Sequence, residues 1–345
     1  VLERVGPEPD RVVRYAEGET GIYEVWEPRA GSAHDLSSSA GRAAADSPGR
    51  TDISSAGAGL SWSSGSPGHG KPTPADTGDV PPARAVTVAL VHGGFWKAAY
   101  DRTHLRSLAG ALARDGFHVA SVEYPRVGMP GGGWPGTGDA VADALTAIVA
   151  DPSLPSPVVA VGHSAGGHLV AWCASSPTTA TAGITGTAGT AGITGVRARV
   201  DGLAGVVPLA GVLDLVLADR QSLGDQAVRA LVGLPRRHES TPRDEAGAHG
   251  HESKGDPAAD PADGIPVDAD PARQRLVVPS VLVHGADDMN VPLSVSEAYL
   301  ASRTSDDAAC RLVAVGEADH FALIDPLTPA YTVVVEAIES LVPGG

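Results

Sequence analysis

One run constrains this chain more than any other: Val158-Val159-Ala160-Val161-Gly162-His163-Ser164-Ala165-Gly166-Gly167-His168-Leu169. Its β-branched apolar start reads as a buried strand. Gly162-His163-Ser164-Ala165-Gly166, an instance of G-x-S-x-G, comes next, and the apolar Leu169-Val170-Ala171-Trp172 continues as a helix. Strand, sharp turn and helix put a serine hydroxyl on a strained elbow at the top of a sheet, and small flanking residues let the chain bend there. Amides at the N-terminus of the following helix lie beside that hydroxyl, where they can receive a developing oxyanion. With 43 glycines in 345 residues such a pentad also arises by chance, so its meaning comes from the strand before it and the helix after it.

The rest of the chain supplies a setting for that elbow. Residues 12–15 and 22–26 alternate as a hairpin, with a turn at Glu17–Gly21. From Val86 onward, strand and helix patterns alternate. Strands are expected at 86–91, 117–122, 158–163, 202–209, 281–283 and 311–315. Helices are expected at 105–114, 139–150, after Ser164, and at 222–232, 293–302 and 331–341. Such alternation implies βαβ units around a mostly parallel sheet. Three stretches break it: 29–84, 177–197 and 235–275, rich in Gly, Ala, Ser, Thr, Pro or Asp and poor in apolar anchors. Such segments bury too little to offset their ordering entropy. The expectation is a single domain over 1–345 with a disordered insertion at 29–84, a low-complexity loop at 177–197, and a disordered or cap-region insertion at 235–275.

Four further features meet the needs of an activated serine. His92-Gly93-Gly94-Phe95-Trp96 follows a buried strand, and adjacent glycines there let backbone N–H groups face a reacting carbonyl oxygen. Gly93, Gly94 and Ala165 are therefore the expected oxyanion donors, with bulky Phe95 and Trp96 as pocket walls that favour a small acyl group. His284-Gly285-Ala286-Asp287-Asp288-Met289-Asn290-Val291-Pro292 places a carboxylate after the strand at 281–283. The H-G-x-x-D-x-x-V-P spacing falls on Asp288, with Asp287 beside it and Asp214 one strand earlier as alternatives. His320, in Ala318-Asp319-His320-Phe321, is the candidate general base. The order Ser, Asp, His is the one a nucleophile-elbow sheet uses. The remaining histidines carry no such pattern: His163 and His168 are expected to pack or hydrogen-bond locally. His69, His238, His249 and His251 fall in the insertions, and His34, His104 and His118 have no evident partner. No metal site, phosphate loop or dinucleotide fingerprint is apparent, so no cofactor is expected.

Composition narrows the classes. A formal net charge of −16 opposes binding to nucleic acid or an anionic membrane surface, because phosphates would be repelled. Cys173 and Cys310 each sit in an apolar stretch and read as reduced core thiols. Neither a basic, apolar leader nor an apolar run of about 18 residues is visible, so a cytoplasmic protein without membrane contact is expected.

These motifs carry a resemblance. H-G-G-F-W at 92–96, G-H-S-A-G-G-H-L at 162–169, H-G-A-D-D-M-N-V-P at 284–292, D-H-F-A-L-I-D-P at 319–326 and G-G-G-W-P at 131–135 resemble the α/β-hydrolases. More narrowly, they resemble the esterase branch that includes kynurenine formamidase (arylformamidase) and related bacterial carboxylesterases. The resemblance covers residues 10–28 and 84–342 outside the insertions. It implies a sheet of about eight mostly parallel strands flanked by helices, with catalytic groups at the strands' carboxyl ends. It also implies a serine hydrolase of small ester or activated-amide substrates, acting through Ser164, His320 and Asp288. Rival readings are a peptidase or lipase of the same fold, or a catalytically silent ligand-binding homologue.

Overall fold

A computed structural model describes residues 6–28, 50–54, 83–176, 198–237 and 264–342. Its first strands are β1 (Arg11–Arg14) and β2 (Ile22–Trp26), followed by β3 (Arg50–Ser54) and β4 (Thr87–Val91). The alternating part continues through α1 (Arg106–Arg114), β5 (His118–Val122), α2 (Gly136–Ala150), β6 (Val158–His163) and α3 (Ala165–Cys173). It ends with β7 (Leu203–Leu209), α4 (Leu215–Arg220), α5 (Leu223–Leu231), β8 (Ser280–Gly285), α6 (Leu293–Ala301), β9 (Cys310–Val315) and α7 (Ala330–Glu339).

The strands form one sheet in the order β1-β2-β5-β4-β6-β7-β8-β9-β3. The run from β5 to β9 is parallel throughout, and the three outer strands are antiparallel to their neighbours. Parallel strands need covering on both faces, which is why β4, β6 and β8 are buried along their whole length. Alternate side chains divide between two cores. Val88, Leu90, Val159 and Val161 pack with Leu108 and Leu112 of α1 and Val334 and Ile338 of α7. Ala89, Val91 and Ala160 face the other way, onto Leu145 and Ile148 of α2, Leu169 of α3 and Tyr299 of α6. Truncating one such buried leucine, Leu112, typically costs about 2–5 kcal/mol.

Two of the insertions contain more structure than their composition suggests. Within 29–84, Arg50–Ser54 is the edge strand β3, paired with β9 from Arg50 opposite Val315 to Ser54 opposite Arg311; this adds a ninth strand to the expected eight. Residues 29–49 and 55–82 lie outside the described residues, as do 177–197 and 238–263. The end of the 235–275 segment departs from the expectation of disorder or a cap. Two short 3-10 turns, Val267–Ala269 and Pro271–Arg273, pack on the core with Ile265, Ala269 and Pro271 buried. Backbone bonding rather than apolar content secures them. Asp270 caps the second turn from Oδ1 to the Ala272 N–H at 3.1 Å, and the same oxygen accepts from the Leu215 N–H at 3.1 Å. The short helix α4 has no counterpart in the sequence pattern; Asp214 caps its N-terminus, accepting from the Leu217 N–H at 2.8 Å.

Candidate active site

The carboxyl ends of the parallel strands converge on one point. Ser164 follows β6, the His92–Trp96 turn follows neighbouring β4, Asp288 follows β8 and His320 lies beyond β9. Ser164 has φ 55 and ψ −115, a conformation a non-glycine residue adopts only under constraint. Three features impose it. The Ser164 N–H donates to Leu209 O of β7 at 2.8 Å. A Cβ on Gly162 would come within 2.2 Å of Gly166 O, and one on Gly166 within 2.0 Å of Val91 O. The pentad's glycines are therefore what lets the elbow close against β4. Ala165 opens α3, so its N–H is a first-turn amide with no acceptor inside the helix.

The turn after β4 approaches from the other side. An added Cβ on Gly93 would lie 2.9 Å from the Ser164 Cβ and 2.8 Å from His163 O, so this backbone runs directly against the nucleophile elbow. Behind the turn lies a buried ionic cluster. Glu123 receives His92 Nε2 at 3.1 Å, the Tyr124 N–H at 3.0 Å, Arg102 at 2.9 Å and the Arg126 guanidinium. Glu24, next to it on β2, accepts from Arg102 at 2.8 Å and Arg106 at 2.7 Å. Tyr124 donates its hydroxyl to His92 O at 2.7 Å and stacks on the His92 ring. Burial alone would raise the Glu123 carboxyl. The His92 hydrogen bond, with the charges of His92 and Arg126 and the Arg102 hydrogen bond, outweighs it and brings the group down to about 2.

The acid–base side is built differently. His320 Nδ1 lies 2.6 Å from Asp288 Oδ2, and both side chains are buried. Asp288 Oδ1 accepts from the N–H groups of Asn290 and Val291, each at 2.8 Å. Its Oδ2 also faces His284 Nε2 at 3.4 Å. Burial would raise the Asp288 carboxyl, but the hydrogen bonds from His284, His320 and Val291 hold it well below the usual carboxylate range. Of the two adjacent aspartates, Asp288 is therefore the one joined to His320, while Asp287 is exposed. Asp214, the third possibility, caps α4 instead.

Ser164 and His320 line one cavity of about 130 Å³, together with Gly94, Phe95, Tyr100, His104, His163, Asn290 and Phe321. No residue of that lining carries a fixed charge. Phe95 forms a wall, as its position suggested. Trp96 does not: it is fully buried in the core, edge-on to the His168 ring, because the turn reverses after Phe95 and sends the next side chain inward. The other flanking histidines follow the expected local pattern. His168 Nε2 donates to Ala269 O at 2.8 Å and His163 Nε2 to His320 O at 3.0 Å. His118 pairs with Glu27 at 2.8 Å. His104 was not legible as a site residue, since it stands in no motif. A 3-10 turn at Arg102–Leu105 brings it to the cavity, where burial and then the charge of His92 lower it to about 4 and keep it neutral. Burial, and then the neighbouring His320, lower His163 well below the ordinary range as well. Both cysteines are buried, and burial pushes each up to about 12, so neither is a nucleophile here.

With the geometry in place, comparison with known proteins gives the class. Residues 88–330 match the Alpha/beta hydrolase family, and the chain belongs to it. Solved structures of the same fold include esterase B from Lactobacillus rhamnosis, at 15% identity over 97% of this chain and 88% of that one, TM-score 0.57. Esterase 2 from Thermogutta terrifontis matches at 15% identity over 97% and 94%, TM-score 0.55. A truncated carbohydrate esterase from gut microbiota matches at 16% identity over 74% and 85%, TM-score 0.51. No curated protein matches by sequence. At these identities the likeness is one of fold. Among the described residues, no helix is long and apolar enough to cross a membrane.

Proposed function

We propose that this protein is a serine hydrolase of small, uncharged carboxylic esters or activated amides. The observation that carries the reading is a serine held at positive φ in a cavity it shares with a histidine, whose far nitrogen is 2.6 Å from a buried carboxylate. In the proposed reaction the Ser164 Oγ attacks the substrate carbonyl carbon as His320 Nε2 takes the hydroxyl proton. The carbonyl electron pair moves onto oxygen, where the amides of Gly93, Gly94 and Ala165 receive it. Collapse of this intermediate breaks the bond to the leaving group, which takes the proton back from His320. Water then enters and loses a proton to the same imidazole as it attacks the acyl carbon; the bond to Ser164 Oγ breaks, the acid leaves and Oγ takes that proton back from His320. Asp288 holds the Nδ1–H tautomer and offsets the positive charge that His320 carries between these steps.

The cavity argues for the substrate class. It is small, its wall is Phe95, Tyr100 and Phe321, and its histidines 104 and 163 are neutral. A short acyl group fits such a site, and formyl is the shortest; this favours the arylformamidase-like reading over a lipase. The test is a series of p-nitrophenyl esters from acetate to decanoate alongside N-formylkynurenine, repeated with Ser164→Ala. The expected result is a preference for the shortest acyl groups that disappears in the variant. A preference for decanoate would overturn the size assignment, and full activity in Ser164→Ala the mechanism.

A further inference from the structure

His284 enters the sequence only as the first letter of the H-G-x-x-D spacing, and the proposed mechanism does not use it. Its surroundings are specific. The side chain is completely buried at the end of β8. Nε2 is 2.8 Å from Val291 O and 3.4 Å from Asp288 Oδ2. A carbonyl oxygen and an ionised carboxylate can only accept, so Nε2 carries the proton. Nδ1 is 2.7 Å from the Ser296 hydroxyl of α6, which is buried as well and therefore donates to it. Ser296 therefore donates to His284 and His284 donates to Val291 O, while the same N–H edge lies 3.4 Å from the Asp288 oxygen that receives His320 at 2.6 Å from the other side.

We propose that His284 is a positioning residue that acts on the reaction through Asp288. By setting the positive edge of its Nε2–H 3.4 Å from the oxygen that also receives His320, it offsets part of the carboxylate's charge and weakens the hold of Asp288 on the proton of His320. The inference rests on the triad reading above. Few other ionisable groups face the pair. His163 of β6 stacks 4.6 Å from the His320 ring and is kept neutral by burial, and His104 beyond it is neutral too. Asp287 and Asp319 are exposed in the flanking turns, where Asp319 accepts from the Phe321 and Ala322 N–H groups. Asp325, in the turn before α7, accepts from the Leu327 N–H at 3.0 Å. None of these lies between His284 and Asp288.

The experiment follows histidine titration by ¹⁵N NMR, with the pH profile of p-nitrophenyl acetate hydrolysis beside it. In the unaltered protein His284 should remain in the Nε2–H tautomer across the whole titration; the Nδ1–H tautomer would overturn the proposal. In His284→Leu the titration of His320 and the acid limb of hydrolysis should both move to higher pH, lowering the rate on that limb about three- to tenfold while the alkaline plateau changes less. In His284→Gln, whose side-chain amide reaches the same acceptors, the limb should return toward its original place. A residue that merely braced the 286–292 loop would lower activity equally at all pH values and leave the His320 titration where it was; that result in folded His284→Leu overturns the inference. Should His284→Leu fail to fold, the tautomer in the unaltered protein and the limb of His284→Gln decide. Absence of hydrolysis by the unaltered protein would count against the triad, whereas an unmoved titration counts against this inference alone.

Discussion

The two flanks of Ser164 are supported in opposite ways. Behind the oxyanion turn lies a cluster of fixed charges: Glu24 and Glu123 against Arg102, Arg106 and Arg126, with His92 among them. On the acid–base flank Asp288 is the buried carboxylate joined to His320, and its neighbours His163 and His104 are imidazoles kept neutral by burial. The contrast follows the chemistry each side must perform. Backbone amides at 93 and 94 have only to keep their positions, and permanent ion pairs hold a turn still over a wide pH range. A proton has to come and go on His320, and a second fixed charge nearby would bias it one way. Rigidity is thus bought with charge on one flank and proton mobility preserved by neutrality on the other.

Three substitutions test that division, in decreasing order of expected effect, with Asp287→Asn as the control for the first. Asp288→Asn should lower kcat by about 10⁴-fold, because the amide no longer fixes the His320 tautomer. Asp287→Asn, its exposed neighbour, should stay close to the original rate; equal losses in the two variants would remove the acid–base flank as drawn. Glu123→Leu should act on stability instead, costing about 3–5 kcal/mol, because it leaves buried guanidinium groups without their carboxylate. Thermal melting measures it, and an unchanged melting temperature would mean that the charged cluster is not what holds the oxyanion turn. Gly93→Ala should leave the fold melting cooperatively but lower kcat about 10²-fold, since the new methyl must push the turn away from Ser164 and His163.

The smallest effect concerns a carboxylate outside both flanks. Burial first, and Asp214 second, raise the Asp270 carboxyl to about 6. A carboxyl raised by folding binds its proton more tightly in the folded chain than in the unfolded one. Its ionisation therefore costs stability as the pH climbs from about 4 to about 6. Asp270→Asn should be more stable than the unaltered protein at pH 8, by up to about 2–3 kcal/mol read as a higher melting temperature, and the gap should close below about pH 4. A gap that is the same at both pH values would contradict the assignment.

The same contrast explains what the sequence disclosed. Ser164, Gly93 and Asp288 were legible because each follows a strongly apolar strand in a short motif whose glycines answer to backbone contacts that the fold makes. That the sheet is mostly parallel followed from strand–helix alternation; the place of β4 between β5 and β6 did not. His104 and the charged cluster were not legible, since Glu24, Arg102 and the adjoining Glu123 and Arg126 come from three separate segments, two of them brought together by the pairing of β2 and β5. Trp96 was placed in the pocket because it adjoins Phe95; the positive φ at both residues, 50 and 56, turns it into the core, and a string of letters holds no trace of that reversal. The edge strand β3 and the turns at 267–273 were hidden by the low apolar content of their segments; β3 is joined to the sheet by its pairing with β9, and an aspartate caps the second turn.

The central claim is that Ser164 is the activated nucleophile. Incubation with a fluorophosphonate followed by peptide mass spectrometry addresses it directly. The account predicts one adduct, on Ser164, that is absent from Ser164→Ala and forms much more slowly in Asp288→Asn. A folded protein that takes up no label, or takes it up on another residue, would contradict it.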